Sequence, residues 1–200
     1  MDIEMQKQAI EGLSDRLCEK PKWAQNYKAL LSGRLGGDDR VRLALRHWLY
    51  DEFKSLTVEE IKRAEALLVT RYTFAPDPVE IRKTGMSVAV EMRFGDVRDL
   101  HERVMNKTAR WINGSEEEWQ PGEAWMVREI GARRLMETSY HTLESRFLNE
   151  LENYITLDQP DVTQDGLFSS AKKNDVKFYS EAKRKRRDFS SLKGGLGGDA

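Results

Sequence analysis

The chain lacks most of what holds small secreted or metal-bound domains together. Cys18 is the one cysteine in 200 residues. That excludes an internal disulfide framework and a cysteine metal cluster, and it fits a reducing compartment. No apolar run approaches the roughly 20 residues that a membrane-spanning helix needs. The polar start, with Asp2 and Glu4, has no basic-then-apolar leader layout. The expectation is a cytoplasmic protein with no membrane partner. G-x-x-x-x-G-K-[ST] is missing, and so are H-E-x-x-H, C-x-x-C and G-x-S-x-G. An ordinary P-loop ATPase is thereby excluded. The sequence offers no catalytic constellation, no metal set and no cofactor site, and the chain is read as a non-enzyme.

An excess of either charge is missing too. The net charge of −1 gives no bulk attraction to nucleic acid. Its distribution is more informative. Residues 171–193 hold nine Lys/Arg against three Asp/Glu, a local excess of six, so the rest of the chain carries about −7. A mildly acidic body has a basic tail.

What is present is helical patterning. Charged residues make up 34% of the chain and the mean hydropathy is −0.69, so the apolar residues have to be economically placed. Ile3, Gln6, Ile10, Leu13 and Leu17 recur at helical spacing, and a short helix follows around Trp23, Tyr27, Leu30 and Leu31. Gly33 to Asp39 reads as a turn. Val41, Leu45, Trp48, Leu49 and Phe53 form the next stripe. Thr57 with Glu60 three residues on has the form of a reciprocal capping box, and Val58, Ile61, Ala64, Leu67 and Leu68 continue the apolar face. Pro76 and Pro78 force an extended strap over 73–78. Asp77 as N-cap and Pro78 at the first helical position open a short helix that Gly85 closes.

After Gly85 the pattern is ambiguous. Met86, Val88, Val90, Met92 and Phe94 alternate with Ser87, Ala89, Glu91 and Arg93, the period of a half-buried strand. No pairing strand exists elsewhere, so this stretch is read as a linker or short helix. Asp96 then caps a helix with Val97, Leu100, Val104, Thr108 and Trp111 on one stripe, ended by Asn113-Gly114. Ser115 to Gly122 is a loop. A long helical region runs from Glu123 to about Ile155, with a candidate break near Gly131 or Ser139. The expected fold is mainly α, two small helical bundles joined by a linker, with a disordered basic C-terminal tail. The expected segments are a helical arm (1–35), a helical domain (38–85), a second helical domain (96–156) and the tail (157–200).

The candidate site residues fall in two groups. In the tail, Lys172, Lys173, Lys177, Lys183, Arg184, Lys185, Arg186 and Arg187 lie among Phe178, Tyr179 and Phe189. Cations neutralise phosphates and aromatics stack on unpaired bases, a combination suited to single-stranded DNA. A solvated tail holding an acidic partner has the same composition, and both readings stand. Residues 168–172 and 189–193 also share the pattern F-S-S-x-K, for which chance in a Ser/Lys-rich segment is the simpler account. In the body, Trp23 and Trp119 lie beside prolines in less periodic surroundings, and Phe147 and Leu151 sit on the cleanest stripe. These four are the candidate partner anchors, since exposed aromatic and apolar anchors carry interface energy; core burial is the simpler reading for each singly. His47 and Asp51 lie four apart on one helix face, but two ligands do not make a metal site. His101, beside Glu102, and His141, near Glu144, read as solvated helix residues. Glu116, Glu117 and Glu118 read as loop charge.

The middle of the chain resembles the replication protein P family of lambdoid bacteriophages, loaders of the host replicative helicase. The residues that carry the likeness are Arg46, Trp48, Leu49, Phe53, Thr57, Glu60, Phe74, Pro76 and Pro78. A second patch comprises Glu118-Trp119 and Ala124-Trp125-Met126-Val127. Together they span roughly 40–155. The resemblance implies a mainly helical, non-enzymatic protein that binds a hexameric DnaB-type helicase in the bacterial cytoplasm, opens its ring and delivers it to single-stranded origin DNA. By position it implies that residues 1–35 meet an origin-binding initiator protein and that 96–193 grip the helicase and DNA. The basic, glycine-ending tail and the alternating 86–94 stretch depart from the family. Two other readings are a phage small terminase subunit, for DNA packaging, and a phage inhibitor or adaptor of a host machine. The first needs a tight helix-turn-helix connection, which the 72–77 strap is too long and too extended to supply.

Overall fold

The computed structural model describes residues 3–31, 38–113, 115 and 117–157. All regular structure among them is helical. The order is α1 (Ile3–Glu19), α2 (Pro21–Leu31), α3 (Asp38–Phe53), α4 (Val58–Arg71), α5 (Pro78–Phe94), α6 (Val97–Ile112), α7 (Pro121–Ile130), α8 (Ala132–Glu137) and α9 (Tyr140–Thr156). The fold is mainly α, as the periodicity predicts. The chain divides into two compact units, one of Met1–Gly95 with Ile155–Asp158, the other containing Asp96–Tyr154. Residues 158–200, where the basic tail falls, lie outside the described residues.

In the first unit α1 packs against α3 and α4. Ile10, Leu13 and Leu17 are fully buried on one side of α1, and Leu45, Leu49, Phe53, Ile61 and Leu68 meet the same core. Removing each such side chain from water is worth roughly 1.5–3 kcal/mol. Gln6, the polar member of the α1 stripe, donates to the carbonyls of Phe53, Lys54 and Leu56 at 3.2, 3.0 and 2.6 Å. It thus ties α1 to the turn between α3 and α4, where the Phe53 carbonyl also accepts the Leu56 N–H at 3.0 Å. The expected separation of a 1–35 arm from a 38–85 domain is therefore corrected: α1 and α2 are part of the same packed unit.

The two predicted helix starts are present. Thr57 Oγ1 accepts the Glu60 N–H at 3.3 Å while Glu60 Oε2 accepts the Thr57 N–H at 2.7 Å. Asp77 and Glu80 form the same reciprocal pair at the head of α5. Glu60 also takes two hydrogen bonds from Arg93, at 2.7 and 2.8 Å, and Arg93 donates a third to the Ser55 carbonyl at 2.7 Å. Burial raises the Glu60 carboxyl, but the Arg93 and Thr57 hydrogen bonds outweigh it and leave it below its ordinary range.

Gly85 does not end α5, which runs to Phe94 and stops at Gly95 with φ +77°. The reading of 86–94 as a linker or short helix is corrected by this single 17-residue helix. Ile81, Thr84, Gly85 and Val88 form one buried stripe; Met86, Ala89 and Val90 form a second beside it. Two adjacent stripes on one helix superpose into an alternation that imitates a strand.

In the second unit, Asp96 Oδ1 caps α6 through the Arg98 and Asp99 N–H groups, at 2.8 and 3.1 Å. The long helical region breaks at Gly131, with φ +90°, and again before Tyr140. The Trp125 indole donates to the Glu150 carbonyl at 3.1 Å, and Arg146 donates to the Glu129 carbonyl at 3.0 Å, tying α7 to α9.

Candidate protein-binding surface

The chain between α4 and α5, residues 72–77, leaves the helix at Tyr72, with φ −100° and ψ 124°, bends at Thr73 and Phe74, and is extended at Asp77. Proline at 76 and 78 fixes that geometry. Two buried aromatics of α2 hold it from beneath. The Trp23 indole N–H donates to the Thr73 carbonyl at 3.4 Å, and the Tyr27 hydroxyl donates to the Pro76 carbonyl at 3.1 Å. Burial pushes the Tyr27 phenol far above its usual value, with Cys18, Glu80 and Asp77 adding to the effect. Its proton therefore stays in place as a donor at every ordinary pH. Lys20 Nζ lies 4.0 Å from the Trp23 ring centroid, a cation–π contact that covers the indole face.

Phe74 sits between the two clamped carbonyls and is 80% exposed. An exposed aromatic on a stiff, pinned segment loses little freedom when a partner covers it, which is the economy of a binding anchor. On the outer face of α4 that leads to it, Ala66 and Thr70 are exposed and Leu67 is 40% exposed, with Lys62, Arg63 and Arg71 exposed beside them. The Thr70 hydroxyl is turned back onto the Ala66 and Leu67 carbonyls, at 2.8 and 3.3 Å, so its donor is used within the helix. Beside this face, between the end of α1 and α4, lies a groove of about 260 Å³. Ala66 and Val69 line it, together with Arg16, Glu19, Lys20 and Glu65.

The sequence-derived anchors are placed elsewhere. Trp23, Trp119, Phe147 and Leu151 are at most 7% exposed. Side chains with no free surface have nothing left to bury against a partner, so all four are corrected to core residues. Trp23 acts behind the strap, Trp119 packs edge-on to Trp111 with centroids 6.4 Å apart, and Phe147 and Leu151 hold α9. Lys172, Lys173, Lys177, Phe178, Tyr179, Lys183, Arg184, Lys185, Arg186 and Arg187 lie outside the described residues.

His101 is likewise corrected: it is 3% exposed rather than solvated. Its ring lies 5.2 Å from Tyr140 and 5.3 Å from Phe147, and its Nε2 has no hydrogen-bond partner. His47, Asp51 and His141 are exposed. Among the described residues no group of three or more His, Cys, Asp or Glu could hold a metal. Glu117 pairs with Arg110 at 2.7 Å. No helix among the described residues is long and apolar enough to cross a membrane.

Phe74 is the residue that sequence reasoning missed as an exposed anchor. Its one local sign is its position in a proline-bound segment with no stripe to bury it. No family model matches the chain, and no curated protein or solved structure matches it either.

Proposed function

We propose that the chain is a non-enzymatic phage replication protein that binds a hexameric DnaB-type helicase in a bacterial cytoplasm and loads it on single-stranded origin DNA beside an origin-binding initiator. What supports the reading is the resemblance to helicase loaders carried by Arg46, Trp48, Leu49, Phe53, Thr57, Glu60, Phe74, Pro76 and Pro78 and by the patch Glu118-Trp119 with Ala124 to Val127. A protein-recognition surface around Phe74, within that same stretch, fits a protein that works by gripping another. The mechanism is differential binding: the loader favours the open ring to the extent that it contacts it better than the closed one. The basic residues of 172–187 are proposed to hold the strand.

One observation favours a second reading, the small terminase. The α3–α4 connection, Lys54 to Thr57, has the four-residue length of a helix-turn-helix turn. Against it, Glu59 stands exposed in the first turn of α4. A recognition helix presents its N-terminal turn to DNA, and carboxylates there repel phosphates. An inhibitor or adaptor of a host machine would use the same surfaces without delivering the ring.

The helicase's ATP hydrolysis tests the reading. The purified chain is expected to suppress it at stoichiometric ratio, and unchanged turnover at saturating chain contradicts loading.

A further inference from the structure

Helices α4 and α5 meet along a seam that is open to solvent. Arg63 of α4 pairs with Glu91 of α5 at 2.6 Å. Glu60, near the start of α4, holds Arg93, near the end of α5, so the two helices run antiparallel. One turn on from the Arg63–Glu91 pair, Leu67 stands level with Ser87, and a second turn sets Arg71 level with Lys83. The strip between these ends is uncharged: Ala66, Thr70 and Ser87 are exposed and Leu67 is partly so. Phe74, held from beneath by Trp23 and Tyr27, stands exposed at its far end.

The charges along this face do not balance. Lys62, Arg71 and Lys83 are exposed and form no ion pair among the described residues. The nearby carboxylates are mostly committed. Arg63 takes Glu91 and Arg93 takes Glu60, while Asp77 and Glu80 accept each other's backbone N–H groups at the head of α5. Glu59 is exposed and forms no ion pair among the described residues. The uncommitted charge is therefore positive, and it flanks an apolar stripe and an aromatic knob.

We propose that the α4–α5 face docks an acidic amphipathic helix of a partner protein, its apolar stripe laid along Ala66 and Leu67 against Phe74 and its carboxylates set toward Lys62, Arg71 and Lys83. At about 1.5 Å per residue, Lys62 to Arg71 spans about 14 Å, and Phe74 extends it to the length of about three helical turns. A furrow between two helices is the usual seat for such an element. A single-stranded nucleic acid is a poorer occupant, because it needs successive aromatic platforms, and beyond Phe74 the strip is aliphatic and hydroxylic. This docking rests on Phe74 as a protein anchor and is independent of the helicase. It is tested without the helicase, whose own assay decides loading.

The test is fluorescence anisotropy on the full chain with a labelled helical peptide of about 15 residues, Leu on one face and Glu on the other, at about 0.15 M salt. A copy with Lys in place of Glu, and a single-stranded oligonucleotide, serve as the alternatives. The Glu peptide is expected to bind with a Kd below about 100 µM, and the Lys peptide at least about tenfold more weakly. Phe74→Ala is expected to weaken the Glu peptide at least about tenfold. Arg71→Glu with Lys83→Glu is expected to cut the preference for Glu over Lys by at least about tenfold. All three positions are exposed, so unchanged helicity by circular dichroism verifies each variant. The basic tail attracts any anion, and binding indifferent to these variants belongs to the tail and overturns the proposal. So does a Glu peptide that stays free at about 100 µM, equal binding of the two peptides, or oligonucleotide binding that Phe74→Ala abolishes.

Discussion

The tip of the Phe53 ring fills the space beside Gly85: a Cβ at that glycine would lie 2.5 Å from Cζ and 2.6 Å from Cε1 of Phe53. Gly85 is mid-helix, where alanine is better by about 1 kcal/mol on propensity. Here packing decides otherwise. Phe53 is fully buried, and Leu56 Cδ1 stands 3.3 Å from the same point, so the ring has no free direction in which to move.

Gly85→Ala is therefore expected to destabilise the first unit by about 2 kcal/mol, the usual scale of overpacking less the propensity gain. Urea unfolding followed by circular dichroism measures it. Adding Phe53→Leu to Gly85→Ala should cost less than the two single changes combined, because the smaller side chain makes room. An alanine variant as stable as wild type would mean that α5 does not approach α3 this closely.

His101 gives the second unit a dependence on pH. Burial holds its imidazole below the ordinary value of 6.5, with Glu102 opposing weakly. Below about 6.5 the unfolded chain takes a proton that the folded one resists, so stability falls as pH drops through that value and levels off once the folded form also titrates. Its buried Nε2 has no hydrogen-bond partner to stabilise the added proton. His101→Phe is expected to flatten the melting temperature between pH 7 and pH 5, measured by thermal denaturation. An identical slope in the variant would place the titrating group elsewhere.

Local chemistry was legible in the sequence where neighbours in the chain decide it. Thr57 with Glu60, Asp77 with Pro78, Asp96 as a cap and the breaks at Gly131 and Ser139 depend on residues a few positions apart. Burial that depends on distant packing was not. His101 lies on the flank of the Leu100–Val104–Thr108 stripe, and its burial comes from Tyr140 and Phe147, about forty residues on. Trp23, expected as a partner anchor, is buried for the same reason. One long-range hydrogen bond to Thr73 puts the tryptophan behind the strap and leaves Phe74 in front. The second half of α5 misled because two helical stripes one residue apart reproduce the period of a strand.

The basic tail carries its own test. Deleting residues 171–200 is expected to weaken single-stranded DNA binding and to reduce the slope of log affinity against log salt. If Lys183 to Arg187 neutralise five phosphates, the slope falls by about 3 to 4. Fluorescence anisotropy with a labelled oligonucleotide, at several salt concentrations, reads both quantities. Unchanged binding would assign the tail to a protein partner.

The central claim is that this chain grips a replicative helicase. Size-exclusion chromatography with light scattering, on a mixture of the purified chain and a DnaB-type hexamer, tests it most directly. A single peak heavier than the hexamer and containing both proteins is expected. Two peaks with the masses of the separate components, at concentrations well above micromolar, would contradict it.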